Sequence, residues 1–148
     1  MADTTPPREI AEWLDDFLDD TLMETAAIAS KIGEDALAIS RDEHVYTAQT
    51  GNLQSSCGFT VTIDGIPLTQ TGFTPKPGAS NPDGNTGSQK GKDYMEHCLQ
   101  SKLQKGISLI MVAGMDYAGY VEDWGGDVLK SAEAHIRQEF DKLCRGEI

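Results

Sequence analysis

At 148 residues and 39% hydrophobic content, the chain can bury one sizeable core, and lengths of this order most often form one domain. Against 12 basic residues stand 24 acidic ones, a net charge of -12. Such a surface repels phosphate backbones and anionic membranes, which argues against a direct nucleic-acid or membrane partner; the same acidity also serves plain solubility.

The opening Met1-Ala2-Asp3-Thr4-Thr5-Pro6-Pro7 has no basic stretch followed by an apolar one, so no signal peptide is expected. The longest apolar run, residues 107–115, is far short of the ~20 residues a bilayer requires. A soluble protein made in the cytoplasm is the expectation. Pro6 and Pro7 suit the first turn of a helix, where a missing N–H costs nothing. Ile10, Trp13, Leu14, Phe17, Leu18, Leu22, Ala29, Ile32, Ala36 and Ile39 then recur at three- and four-residue steps. That spacing predicts a single apolar stripe on a helix of about 30 residues and about 45 Å. Gly33 is a candidate bend, and Arg41, Asp42, Glu43 and His44 a polar end.

At Thr50 the pattern changes. Thr50 can cap the amides of Asn52 or Leu53, and Gly51 permits a tight entry, so residues 51–56 should form one helical turn. Phe59, Val61 and Ile63 alternate with Thr60, Thr62 and Asp64, the pattern of a half-buried strand. Asp64-Gly65 predicts a two-residue hairpin, and Pro67 places the returning strand, residues 66–71, at a sheet edge. Residues 72–92 carry five glycines and three prolines without periodicity, which predicts a long flexible loop. A helix is predicted over 93–104, with Tyr94, Met95, Cys98, Leu99 and Leu103 on one side and Gly106 as its stop. Residues 107–113 read as a central strand covered on both faces. Tyr117, Tyr120, Val121 and Trp124 suggest a helical turn ended by Gly125-Gly126. Asp127 is a candidate N-cap for a last helix whose stripe is Leu129, Ala132, Ile136, Phe140 and Leu143. The fold class is α+β: one domain with long N-terminal and C-terminal helices on a small, mainly antiparallel sheet.

Candidate chemistry is sparse. Asp15, Asp16, Asp19 and Asp20 form two i,i+4 pairs able to share a magnesium ion through oxygen, resembling the aspartate-rich box of prenyl-diphosphate synthases. No second acidic box or basic cluster accompanies them, and they centre opposite Ile10, Leu14 and Phe17, where a solvated face belongs. His44, His97 and His135 show no metal-binding spacing. His97 and Cys98 are adjacent, so on a helix they diverge by about 100° and cannot act as base and nucleophile. Ser55 and Ser56 lack the Gly-x-Ser-x-Gly elbow, and Gly84, Gly87 and Gly91 are too loosely spaced for a phosphate loop. Cys57, Cys98 and Cys144 contain no Cys-x-x-Cys pair and are expected to be reduced, partly buried thiols. Lys76, Lys90 and Lys92 make the predicted loop locally basic. No catalytic residue, cofactor or metal is expected.

Two short segments carry more information. Thr50-Gly51 with Leu53 and Ser56, then Tyr117-Ala118, Tyr120-Val121-Glu122 and Gly125, resemble in order and flanking elements the tail-component family of long-tailed bacteriophages. The similarity spans most of the chain apart from residues 72–104. In that family a long helix leads into a TG-x-L-x-x-S turn, and a buried strand ends in a YA-x-YVE-x-G turn before the last helix. This chain departs from it in having Val45-Tyr46-Thr47-Ala48-Gln49 where a proline usually precedes the TG turn. The resemblance implies a non-enzymatic virion protein, joining or completing the tail at the head–tail neck as a ring. Its partners would be copies of itself and neck, connector or tail-tube proteins. Tyr120 and Trp124 are the residues expected at the subunit interface, since Tyr and Trp dominate such contacts, although both are also common core residues. The competing expectations are a magnesium-dependent enzyme built on residues 15–20 and an acidic binding module such as an antitoxin or DNA mimic.

Overall fold

Pro7 opens the longest element, α1 (Pro7–Asp42), which runs 36 residues without a break, about 54 Å at the α-helical rise. It belongs to a computed structural model that describes residues 7–42, 52–75, 85–101, 105–115, 118 and 128–147. Gly33 does not divide it. A Cβ there would lie 2.5 Å from the Phe59 ring, so the glycine is the seat of that ring. The exposed pairs Arg8–Glu12 and Lys31–Asp35 stitch successive turns, each contributing a few tenths of a kcal/mol at most.

One turn of helix, α2 (Asn52–Ser55), leads into β1 (Cys57–Ile63). Asp64 and Gly65, both at positive φ, form the two-residue turn to β2 (Ile66–Gly72). The hairpin tip is tied to the rest of the sheet: the Gly106 N–H donates to the Asp64 carboxylate at 2.8 Å, and the Asp64 N–H to the Gly106 carbonyl at 2.9 Å. After α3 (Asn85–Ser101) comes β3 (Ile107–Ala113), and after it α4 (Lys130–Cys144). The sheet is antiparallel with order β2-β1-β3. The β1–β2 register slips between Val61 and Thr62, opposite Pro67 and Leu68, as expected of an edge strand carrying proline.

The layers explain where the expected strand roles go wrong. On one face Cys57, Phe59 and Val61 pack against Ala26, Ala29 and Leu37 of α1, with Leu109, Met111 and Phe140 alongside. On the other, Phe73, Met95 and Val112 pack together with Cys98, Leu99 and Ile110, so α3 covers that side. β1, read as half-buried from its alternation, is therefore the central strand, and Thr60 and Thr62 are fully buried. β3, read as central from its apolar run, is an edge strand and mostly half-buried. Hydrophobicity followed the packing of each side chain rather than the strand's position.

Three further expectations need correction. The stretch 85–92, assigned to the loop, is helical, and α3 begins eight residues before the predicted start. Its glycines mislead because Gly91 is a packing residue: a Cβ there would lie 2.5 Å from both the Phe73 ring and the Ser56 carbonyl oxygen. Residues 76–84 of that loop lie outside the described residues. α4 starts at Lys130 with Leu129 as its cap and no side-chain cap bond, where the sequence pattern points to Asp127, which lies outside the described residues. Tyr94, expected on the buried side of α3, is exposed, while Met95 is fully buried. The α4 stripe stands, with Ala132 buried and Leu129, Ile136, Phe140 and Leu143 half-buried.

Candidate functional site

The described residues of the two motif segments share one cluster. Leu53, Met115 and Val128 form one buried cluster, flanked by Ala113, Ala118 and Leu129. The turn itself is built around one carbonyl. Leu53 O accepts from the Ser56 hydroxyl at 2.7 Å, the Ser56 N–H at 3.2 Å and the Cys57 thiol at 3.3 Å. The Ser40 hydroxyl, near the end of α1, donates to the Val128 carbonyl at 2.8 Å and lies 3.5 Å from the Cys57 sulfur. The Gly114 N–H donates to the Ser56 carbonyl at 3.2 Å, and the Ala118 N–H to the Met115 carbonyl at 3.0 Å. Four distant segments thus converge on buried backbone groups that the interior cannot leave unpaired.

Of the motif residues, Leu53, Ser56 and Ala118 are placed at this junction. Thr50, Gly51, Tyr117, Tyr120, Val121, Glu122 and Gly125 lie outside the described residues, as do Trp124 and His44. Among the described residues, none at the junction is arranged for nucleophilic chemistry. Ser56 and Cys57 are buried, and their hydroxyl and thiol donate to a carbonyl. His97 is exposed and stacks beside Tyr94 on α3, and His135 lies half-buried on α4. Cys57 is buried, Cys98 half-buried and Cys144 exposed, and none of the three is in a disulfide. Among the described residues, no group of three or more His, Cys, Asp or Glu is placed to hold a metal ion. Asp15, Asp16, Asp19 and Asp20 are all exposed. No helix among the described residues is long and apolar enough to cross a membrane.

The feature that sequence reading placed wrongly is the first half of α1. Ile10, Trp13, Leu14, Phe17 and Leu18, expected in the core, are all exposed, Trp13 at 65% and Phe17 at 57%. Their rings stack on each other, 6.0 Å apart, and on nothing else among the described residues. The signal was available in the spacing. At about 100° per residue, these five positions centre roughly a third of a turn away from the face holding Ala26, Ala29, Gly33, Ala36 and Ser40. There are two stripes on one helix, and only the second faces the sheet.

A second apolar surface lies farther along. Met23, Ala26, Ala27 and Ser30 of α1 and Val61, Leu68 and Thr69 of the β1–β2 hairpin enclose a groove of about 340 Å³. Of its lining residues, Met23 and Leu68 are 58% and 40% exposed, while Ala26 and Val61 are buried.

Neither protein-family models, nor curated proteins, nor solved structures yield a match to this chain.

Proposed function

We propose that the chain is a structural protein of a long-tailed phage or prophage, a tail-completion or head–tail connector component that works by assembling rather than by catalysis. The observation that carries this reading is the junction. Leu53, from the first of the segments resembling the tail-component family, lies in the buried cluster against which Ala118, the described residue of the second, packs. The α+β arrangement of long helix, small antiparallel sheet and C-terminal helix is the one the resemblance implies. Exposed aromatic surface on a strongly acidic protein adds support, because contiguous apolar patches of several hundred Å² mark interaction sites. An acidic ring around a DNA channel would let DNA slide without adhering.

On this reading the protein forms a ring at the neck, in contact with connector or tail-tube proteins, and is found in the virion. Tyr120 and Trp124 are proposed as interface contributors on the strength of sequence. The test is genetic and visual. The gene should sit among capsid, portal and tail-tube genes, and its deletion should leave filled heads and tails unjoined or unstable by electron microscopy. A gene without such neighbours, or a deletion that still yields normal infectious particles, would sink the proposal.

A further inference from the structure

The two edges of the sheet are unequally protected. β2 is blunted, since Pro67 and the register slip beside it spoil pairing along that side. β3 has seven residues without proline, glycine or charge, and no slip interrupts its register with β1. Among the described residues, no strand pairs with its outer side. The ladder fixes which backbone groups point there. The Asp64 N–H donates to the Gly106 carbonyl and the Gly114 N–H to the Ser56 carbonyl, and antiparallel pairs alternate between bonded and non-bonded. Ser108, Ile110 and Val112 therefore bond to β1. Ile107, Leu109, Met111 and Ala113 turn their N–H and C=O groups outward.

α4 stands back from this edge. Ser108 and Leu109 face Arg137 and Phe140 across an opening of about 500 Å³, and Leu109 and Met111 face Leu129 and Glu133 across one of about 300 Å³. Strand and helix thus run antiparallel, with open space between them. We propose that this edge is a two-fold interface, at which β3 pairs antiparallel with β3 of a second copy. The product is one continuous six-stranded sheet, with both α4 helices on the same face beside the joint.

Charge selects a second copy as the occupant. α1 carries ten acidic against three basic residues, most of the excess behind the net charge of -12. β3 has no charge, and α4 balances Lys130, Arg137 and Lys142 against Glu133, Glu139 and Asp141. Two acidic copies can therefore approach here with little repulsion. The balance is also self-complementary. An axis through Ile110 sets Leu109 opposite Met111 of the second copy. The part of α4 beside Leu109, with Arg137, then lies toward the part beside the other Met111, with Glu133. The exposed Glu133–Arg137 pair, 2.7 Å apart within one copy, is thereby matched across the axis, opposite charges facing. A foreign strand brings no such built-in match. The contact is isologous and closes on two copies, so it does not rest on the phage reading; a ring would need a further surface.

The test follows full-length protein by sedimentation from micromolar to near-millimolar concentration, with hydrogen exchange read residue by residue. Wild type should dimerise. As it does, the amides of Leu109 and Met111 should gain protection, while those of Ile110 and Val112, bonded to β1, stay protected throughout. Glu133→Arg and Arg137→Glu each set like charges face to face, so dimerisation should weaken about tenfold or more. Glu133→Arg also makes the chain less negative, so general repulsion alone would give the opposite result. Both side chains are exposed, so each variant should melt close to wild type. An equimolar mixture of the two sets arginines of one copy against glutamates of the other and should restore a dimer. Trp13→Ala, far along α1, should leave dimerisation unchanged. A wild type that stays monomeric would overturn the inference. So would a dimer without new protection at Leu109 and Met111, a single variant that pairs like wild type, a mixture that stays monomeric, or loss of the dimer in Trp13→Ala. A dimer that behaves as expected in a protein whose gene lacks phage neighbours would sink the phage reading alone.

Discussion

Single residues at this protein's backbone crossings have effects that their chemistry alone does not suggest. Replacing Gly33 by Ala would ordinarily stabilise a helix by up to about 1 kcal/mol. Here the new Cβ meets the fully buried Phe59 ring at 2.5 Å, so overpacking of about 1–3 kcal/mol should dominate and lower the melting temperature by several degrees. Gly91→Ala should cost at least as much, because one of its obstacles is the Ser56 carbonyl, which cannot swing away like a side chain. Thermal melts of both variants check the sign; a stabilised Gly33→Ala would mean that the Phe59 ring has room to move. Ser40→Ala tests the junction. Losing the 2.8 Å bond to the Val128 carbonyl should destabilise by about 0.5–1.5 kcal/mol in a denaturant titration, the net worth of one hydrogen bond.

At the scale of elements, α1 behaves as two helices joined end to end. Its second half is core, and its first half is an arm whose large apolar side chains are exposed. Phe59→Ala, on the strand beneath the second half, should cost about 3–5 kcal/mol. Phe17→Ala, the same chemical change on the arm, should move the monomer's unfolding midpoint hardly at all. Equal losses from the two variants would show that the arm is packed within the free monomer. Replacing Asp15, Asp16, Asp19 and Asp20 together by Asn should likewise leave folding unchanged, since exposed charges contribute little. The substitution should promote association at low salt by lowering the repulsion between copies. A magnesium site lost in that variant, followed by calorimetry, would favour the enzyme reading instead.

For the whole molecule, the proposed ring supplies the prediction that reaches beyond the described residues. Trp124→Ala should keep the monomer's thermal transition and reduce incorporation into assembled tails. A variant that melts several degrees earlier would mark Trp124 as a core residue. Much of the monomer was legible in the amino-acid sequence. Local rules settled the hairpin at Asp64-Gly65, the turn before β1 and the long helix, because turn chemistry and helical periodicity act over a few residues. That Leu53 and Ala118 reach one buried cluster was foreshadowed only by motif order. Which strand is central, which glycines are packing seats and which half of α1 meets the sheet were decided by the tertiary structure. Thr60 is buried because its strand is the central one, and Trp13 is exposed because it lies on the part of α1 that precedes the core contacts starting at Ala26. Hydrophobicity states that a side chain favours leaving water; only the arrangement of elements determines whether its own chain or another one provides the cover.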